Sequence, residues 1–164
     1  MNRSLLSLCL FAAILLSGCG FTESKNAAEK IAAEFMDDRI ANGGLGEASF
    51  YSPEFWKSAS KGEYQNLVNI VSKANGDLTS YSTKTWHINH KRQTNKLSGA
   101  FVTMVFNTAY KTGSGTETII LHRKKKSDKF TILAHNVNTP EIRKLIQKGI
   151  EKATKPESVE SEKE

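Results

Sequence analysis

The sequence predicts an α+β fold, with N-terminal helices packed on a four-stranded antiparallel curled sheet and a C-terminal helix after it. Up to about residue 75, apolar residues recur at helical spacing. The chain beyond that point contains four runs rich in threonine, aromatic and β-branched residues, separated by short turn sequences. Short connections favour an antiparallel meander, and helices followed by strands are typical of α+β domains.

Residues 1–18 have the pattern of a secretory signal peptide, with a positive charge at Arg3 and an apolar run over 5–16 interrupted by Ser7. Because a bilayer core of about 30 Å needs roughly 20 apolar residues, this run is too short to span a membrane. The alternative is a buried helix of the mature fold, which is disfavoured because the next segment opens a new helix.

The sequence Leu16-Ser17-Gly18-Cys19 resembles the lipobox of bacterial lipoproteins. The resemblance implies that the Cys19 thiol takes a diacylglyceryl group through a thioether and that cleavage leaves Cys19 as the first residue. Two or three acyl chains, such as palmitate, on this residue would hold the protein stably on a membrane. The resemblance thus implies a lipid-anchored protein of the cell envelope. In a Gram-negative source it favours the outer membrane, because Gly20 and not aspartate follows the cysteine. The alternative is an ordinary signal peptide with a chance cysteine.

Cys9 and Cys19 are the two cysteines of the chain. Since the first leaves with the signal peptide and the second is acylated, we expect no disulfide and no zinc–thiolate site. No cofactor is expected either. The predicted layout is a signal peptide over 1–18, a lipidated cysteine and tether over 19–25, an α+β domain over 26–138, an amphipathic helix over 139–152 and a disordered tail over 153–164. A tether this short keeps the domain within about 20 Å of the membrane.

Helical periodicity predicts a first helix over 24–41, stopped by Asn42-Gly43-Gly44, and a second helix over 61–74. An aromatic-rich connector over 45–60 joins them. The apolar stripe of the first helix consists of Ala28, Ile31, Ala32, Phe35 and Ile40.

The strands are predicted over 79–89, 97–110, 116–124 and 130–138. Alternation places Val102, Met104 and Phe106 on one face of the second strand. In the last strand it places His135 on the face opposite Ile132. Thr139 and a proline at the next position then predict the N-terminus of the last helix. The apolar stripe of that helix consists of Ile142, Leu145, Ile146, Gly149 and Ile150.

Four strand segments, "GDLTSY", "SGAFVTMVF", "GTETIIL" and "KFTILAHNV", follow two helices and an aromatic connector. In this order they resemble the small bacterial envelope domains of the nuclear-transport-factor-2-like, or cystatin-like, superfamily, over about residues 26–138. The resemblance implies a cone-shaped α+β fold with a pocket between helices and sheet. It implies no single activity, because members of the superfamily include enzymes, binding modules and dimerisation modules.

No nucleophile elbow, HExxH, CxxC or phosphate-loop pattern occurs in the sequence. His87 and His90 are expected on opposite faces of a strand, and no carboxylate falls at an obvious partnering spacing on the predicted strands. We therefore expect no catalytic residue, no metal and no enzyme activity. The residues that could line a pocket are Trp56, Tyr64, Trp86, His87 and His135. The aromatic members either belong to the core or form the wall of a ligand site.

The chain has 23 Lys and Arg against 17 Asp and Glu, for a net charge of +6. A meander places its first and third strand loops at the same end of the sheet, with Asp128 as the nearby acid. The basic residues that converge there are Lys91, Arg92, Lys96, Arg123, Lys124, Lys125, Lys126 and Lys129. Such a patch either only keeps the protein soluble or faces lipid headgroups, an anionic envelope polymer or an acidic protein. Nucleic acid is not expected as a partner outside the cytoplasm.

The sequence therefore favours a membrane-anchored envelope lipoprotein that acts as a non-enzymatic binding or adaptor module, through the basic end or the terminal helix. Its partner would be an envelope protein or an anionic envelope polymer. The alternative is a small-ligand binder or enzyme that uses the pocket between helices and sheet. A third hypothesis is dimerisation through the outer face of the sheet, with Phe101 and Val105. The oligomeric state stays open.

Overall fold

The computed structural model describes residues 19–91 and 97–154, with side chains described over 21–89 and 97–150. The elements are α1 (Cys19–Asn42), a 3-10 turn (Ala48–Phe50), α2 (Pro53–Ser58), α3 (Lys61–Asn75), β1 (Leu78–Lys91), β2 (Gly99–Tyr110), β3 (Gly113–Arg123), β4 (Thr131–Asn138) and α4 (Pro140–Thr154). The predicted signal peptide and residues 155–164 of the predicted tail lie outside the described residues.

The four strands form one antiparallel sheet in the order β1-β2-β3-β4, curled and unclosed, which confirms the predicted fold class. Helix α1 packs across β1, β2 and β3. The connector before α2 runs beside β4, where Tyr51 pairs with Ile132 and the Ser52 amide donates to the Ile132 carbonyl at 2.8 Å. One outer edge of the sheet is therefore partly covered by backbone pairing.

The buried face of α1 follows the helical period. Its apolar members are Ala28, Ile31, Ala32, Phe35 and Met36. The next position of this stripe is Arg39, which is wholly buried, whereas Ile40 is 39% exposed. The prediction that Ile40 continues the stripe is wrong, because residue 39, four after Phe35, falls on the face that meets the sheet.

Helix α1 begins at Cys19 instead of Ser24, so residues 19–25 are helical and do not form the predicted tether. Its first turns are bonded to the loop between β3 and β4. The Glu23 carboxylate pairs with Lys126 Nζ at 2.7 Å, and Arg123 Nη2 donates to Ser24 Oγ at 2.8 Å. These contacts hold the start of the helix against the sheet in one orientation.

A β-bulge near the start of β4 changes which face its residues present. Leu121 pairs with Ile132 but Ile120 pairs with Ala134, so the residue between Ile132 and Ala134 is extra. After the bulge the alternation is reversed, and His135 shares the inner face with Ile132. The prediction that these two residues lie on opposite faces is wrong for this reason.

Helix α4 begins as predicted, with the Ile142 amide donating to the Thr139 hydroxyl at 3.1 Å. It continues to Thr154, two residues beyond its predicted end. Because Asn138 pairs with Thr116 near the start of β3, α4 begins at the end of the sheet opposite the β3–β4 loop.

Gly46 gives a direct test of how the loop after α1 packs. It has a φ of +78°, and a Cβ at this position would lie 2.5 Å from the Phe35 ring. We expect Gly46→Ala to lower the free energy of unfolding by about 2 kcal/mol, because the backbone and the ring both oppose a side chain. Gly149→Ala, where nothing lies within 4 Å, should be neutral or stabilising. Urea unfolding compares the two, and equal stabilities would contradict this packing.

Candidate functional site

A cluster of polar side chains lies in the core between α1 and the sheet. Glu117 of β3 is wholly buried and accepts hydrogen bonds from Arg39 Nη1 of α1 and from the Tyr110 hydroxyl of β2. His135 Nε2 of β4 lies 2.6 Å from Glu117 Oε2. One helix and two strands therefore direct polar groups at a single carboxylate on a third strand.

Arg39 is also held by groups of its own helix and of the loop that follows. Its Nε donates to the Gly44 carbonyl at 3.1 Å, and its Nη1 lies 3.6 Å from Met36 Sδ. The guanidinium carbon lies 5.7 Å from the Phe35 ring centroid. Within the described chain, Nη2 has no hydrogen-bond partner. The guanidinium is thus fixed by Glu117 on one side and by the C-terminal part of α1 on the other.

Tyr51 extends the cluster towards the connector. Its hydroxyl lies 3.1 Å from His135 Nδ1 and 3.1 Å from the Leu45 carbonyl. When His135 is neutral and Nε2–H points at Glu117, Nδ1 can accept the Tyr51 proton. When both ring nitrogens are protonated, Nδ1–H donates to Tyr51, whose own proton then goes to Leu45. A rotating hydroxyl therefore satisfies both protonation states of the histidine.

The pKa values follow from burial and pairing. Burial raises the pKa of Glu117, but the hydrogen bond from His135 and the charge of Arg39 outweigh it and lower the pKa to about 2. Burial lowers the pKa of His135 below its ordinary value, and the attraction of Glu117 only partly offsets this. Burial raises the pKa of Tyr51 and Tyr110. At neutral pH the cluster therefore holds an ionised Glu117, a neutral His135 and protonated tyrosines.

The cluster is enclosed. The side chains of Arg39 and Glu117 are 0% exposed and that of His135 is 4% exposed. A general acid or base has to reach the proton it transfers. In this cluster the guanidinium and the imidazole both contact the carboxylate. Their chemical effect is to neutralise a buried charge and to join α1 to the sheet.

Three of the five predicted pocket residues meet around Tyr51. The rings of Trp56 and Tyr64 are half-buried, with centroids 5.9 and 5.3 Å from that of Tyr51. The Tyr64 hydroxyl donates to the Gly46 carbonyl at 2.8 Å, and His135 contacts Tyr51 as described above. These residues form an aromatic part of the core.

The other two predicted pocket residues lie elsewhere on β1. Trp86 is 44% exposed, and Lys25 Nζ of α1 lies 5.8 Å from its ring centroid. His87 is exposed on the outer face of the sheet, where it pairs with Thr103. The five residues therefore do not line one pocket. A cleft of about 480 Å³ between the end of α1 and the start of β1 contains none of them.

The predicted basic patch is only partly assembled. Arg123 is 7% exposed, donates to the Lys126 carbonyl at 3.0 Å and lies 4.7 Å from the Phe130 ring centroid, so it belongs to the core. Lys124 and Lys125 are exposed. Arg92, Lys96 and the side chain of Lys91 lie outside the described residues.

Asp128 is not the only acid near this end of the sheet. Lys126 pairs with Glu23 at 2.7 Å, and Lys129 pairs with Glu34 at 3.9 Å. These glutamates come from α1. They are about a hundred residues away from the lysines in the sequence, so local sequence patterns do not indicate that they are close. They neutralise part of the predicted patch.

Helices α3 and α4, which contact each other, both carry exposed apolar residues. The exposed fractions are 43% for Leu67, 47% for Ile70, 48% for Leu145, 58% for Ile146 and 59% for Ile150. The members from α4 are three of the five residues of the predicted apolar stripe, and they face outward, whereas Ile142 at the start of the stripe is half-buried. The basic residues that accompany it on α4 are Arg143, Lys144 and Lys148, all exposed.

Sequence reasoning missed Arg39, Glu117 and Tyr110. Arg39 falls on the apolar stripe of α1, four residues after Phe35. Glu117 alternates with Ile119 and Leu121, both wholly buried on the inner face of β3. A charge at a core position of a helix and an opposite charge at a core position of a strand together indicate a buried ion pair. This signal was present in the sequence.

Comparisons with protein-family models, with curated proteins and with solved structures found no match. The resemblances to bacterial lipoproteins and to the nuclear-transport-factor-2-like superfamily therefore stay predictions. Over residues 19–91 and 97–154, no helix combines the length and the apolar composition needed to cross a membrane. In the same part of the chain, no three His, Cys, Asp or Glu side chains come together in a way that could hold a metal ion.

Glu117→Gln tests the buried ion pair. The change keeps the size of the side chain but leaves the charge of Arg39 uncompensated in the core, so we expect the free energy of unfolding to fall by about 3–5 kcal/mol. The exposed control Glu34→Gln should change it by less than about 0.5 kcal/mol. Adding Arg39→Met to Glu117→Gln should cost less than the sum of the single changes. Urea unfolding of the wild type, the three single variants Glu117→Gln, Arg39→Met and Glu34→Gln, and the double variant measures these differences, and a Glu117→Gln effect as small as that of the control would contradict the pairing.

Acid should destabilise the protein in two steps. The folded pKa of His135 lies below its ordinary value of 6.5, so below that pH the unfolded chain binds a proton that the folded protein does not. The free energy of unfolding therefore falls, by up to about 1.4 kcal/mol per pH unit. The pKa of Glu117 is lowered from 4.5 to about 2, so a second loss follows as the pH falls through that interval.

Two histidine variants test whether His135 causes the first step. His135→Gln should remove the first step, whereas His87→Gln on the exposed outer face should keep it. Urea unfolding at a series of pH values from about 7 to 5 measures the slope. The same slope in wild type and His135→Gln would show that the first step has another origin.

Proposed function

We propose that this chain is a membrane-anchored envelope lipoprotein whose folded domain acts as a non-enzymatic binding or adaptor module. The observation that supports it is the exposed apolar stripe of α4, with Leu145 and Ile146 about half exposed. The apolar stripe of an amphipathic helix is normally buried in the core of its own protein. Exposed apolar patches rimmed by polar residues are typical of interaction sites.

The charges around the stripe indicate the kind of partner. Arg143 is exposed at the border of the stripe, about 60° around the helix axis from Ile146, whereas the exposed Lys144 and Lys148 lie on the opposite side of the helix. An envelope protein with an apolar groove and acidic side chains at its rim would complement both features, as in the docking of amphipathic helices into grooves. An anionic polymer would match the lysines but would leave Leu145 and Ile146 in water. A protein partner is therefore the better match.

The alternative function, a small-ligand binder or enzyme, depends on Arg39, Glu117 and His135 being reachable. This combination of a carboxylate, an imidazole and a guanidinium is the observation that favours it. However, the three side chains are enclosed in the core, and Glu117 already accepts hydrogen bonds from the other two. Their arrangement supports a structural role, which is consistent with a module that binds through its surface.

Dimerisation through the outer face of the sheet stays a prediction. Phe101 and Val105 are half-buried there, and the Phe101 ring lies 4.6 Å from the His122 ring. The apolar residues on α3 and α4 are more exposed than these two, so we place the adaptor surface on the helices.

A site-specific cross-link tests the adaptor surface. A photo-reactive amino acid replaces Ile146 in the full-length protein, expressed in the bacterium of origin, and Lys148 on the opposite side of the same helix is the matched control. We expect one envelope protein to be captured several-fold more strongly from position 146. The purified partner should bind wild type and bind Ile146→Asp at least about tenfold more weakly, a loss of about 1.4 kcal/mol. Equal capture from both positions would contradict the proposed surface.

Cys19→Ala tests the anchor separately. Loss of the acylated thiol should move the protein from the membrane fraction to the soluble fraction and should remove the acyl mass from the mature N-terminus. A wild-type protein whose mature N-terminus carries no acyl mass would contradict lipid anchoring, whatever the cross-link shows.

A further inference from the structure

The end of the domain where α1 begins has the composition of a membrane-contact face. We propose that the β3–β4 turn with Lys124 and Lys125, together with Phe21 of α1, rests on the anionic headgroups of the bilayer that holds Cys19. This inference depends on the proposed lipid anchor and adds to it a defined orientation of the domain.

The first argument is proximity to the anchor. Glu23 follows Cys19 by four residues, which is about 6 Å along a helix axis. Its carboxylate pairs with Lys126 Nζ of the β3–β4 turn at 2.7 Å, and Ser24 bonds to Arg123. Since α1 is helical from Cys19 onward, no flexible segment separates the anchor from this turn. An acylated Cys19 therefore brings the turn to the membrane surface.

The second argument is the charge that the turn presents. Lys124 and Lys125 are exposed, and within the described chain no acidic side chain lies within ion-pair distance of either ammonium group. The turn itself is ordered, because the Lys125 amide donates to Asp128 Oδ2 at 2.9 Å and the Asp128 amide donates to the Lys125 carbonyl at 3.1 Å. The positive end of the α1 dipole lies at the same end of the domain. All of these features favour anionic headgroups.

Phe21 supplies an apolar component. It is 53% exposed and lies two residues after Cys19, in the first turn of α1. Exposed aromatic rings and exposed lysines are both typical of segments that lie at the boundary between headgroups and acyl chains. Contact with the bilayer accounts for an exposed aromatic ring beside the anchor, without an acidic protein or an envelope polymer.

The third argument is the position of the other surface. Strand β3 spans eleven residues, about 35 Å. The basic turn follows its C-terminal end, whereas α4 begins beside its N-terminal end. Contact of the turn with the bilayer therefore holds the start of α4 away from the membrane, where a protein partner has access.

Single cysteines at the two ends of the sheet test the orientation. Ser127→Cys lies in the basic turn, and Ser114→Cys is the matched control at the opposite end of β3; both serines are exposed. Because cleavage removes Cys9 and acylation consumes the Cys19 thiol, the introduced cysteine takes the nitroxide label. The full-length lipidated protein is reconstituted into vesicles of phosphatidylethanolamine and phosphatidylglycerol. Collision with a water-soluble nickel reagent is then measured by electron paramagnetic resonance.

We expect the label at position 127 to be several-fold less accessible to the nickel reagent than the label at position 114. The difference should shrink in phosphatidylcholine vesicles, in high salt and in the variant Lys124→Glu/Lys125→Glu. Equal accessibility in protein that floats with the vesicles would overturn the membrane-contact face and leave the anchor intact. Shielding that persists in the charge variant would overturn the role of the two lysines. Protein that fails to float with the vesicles would overturn the proposed anchor, and this inference with it.

Discussion

Arg39 and Glu117 have to meet, because neither charge could lie in the core of this domain alone. Their contact fixes the position of α1 along its own axis relative to the sheet, because the guanidinium has to lie over β3. Apolar contacts would tolerate a small slide or rotation of the helix, but a buried ion pair holds at one register only. The surrounding structure completes it: Tyr110 and His135 bond to the same carboxylate, and the loop after α1 offers the Gly44 carbonyl to the arginine.

The position of both ends of the domain follows from that register. At the C-terminal end of α1, the loop carbonyls of Leu45 and Gly46 accept hydrogen bonds from Tyr51 and Tyr64, so the aromatic connector is ordered by the same region. At the N-terminal end, α1 meets the β3–β4 turn. A helix displaced by one turn would separate Glu23 from Lys126 by about 5 Å. The buried pair thus determines, at a distance, how the surface near Cys19 is arranged.

Much of the fold could be predicted from the sequence, whereas the central cluster could not. Alternation in β2 was predictable because Val102, Met104 and Phe106 are all apolar and all buried. The orientation of His135 was not, because it depends on a bulge that only the pairing of β4 with β3 reveals. The contact of Glu117 with Arg39 joins residues 78 positions apart, and local patterns carry no information about such a distance. What local patterns do provide is the warning that two opposite charges occupy core positions.

The continuous helix from Cys19 has a consequence for the choice of partner. A lipoprotein on a long flexible linker searches a wide volume and can capture proteins far from its own bilayer. With Cys19 acylated as proposed, the domain would instead diffuse within a layer a few nanometres thick next to the bilayer, and much of the rotational freedom that association consumes would already be lost. Such a module selects partners that themselves stay close to the same membrane. Affinity that is weak in dilute solution would be sufficient there, since confinement to that layer raises the effective concentration of both molecules.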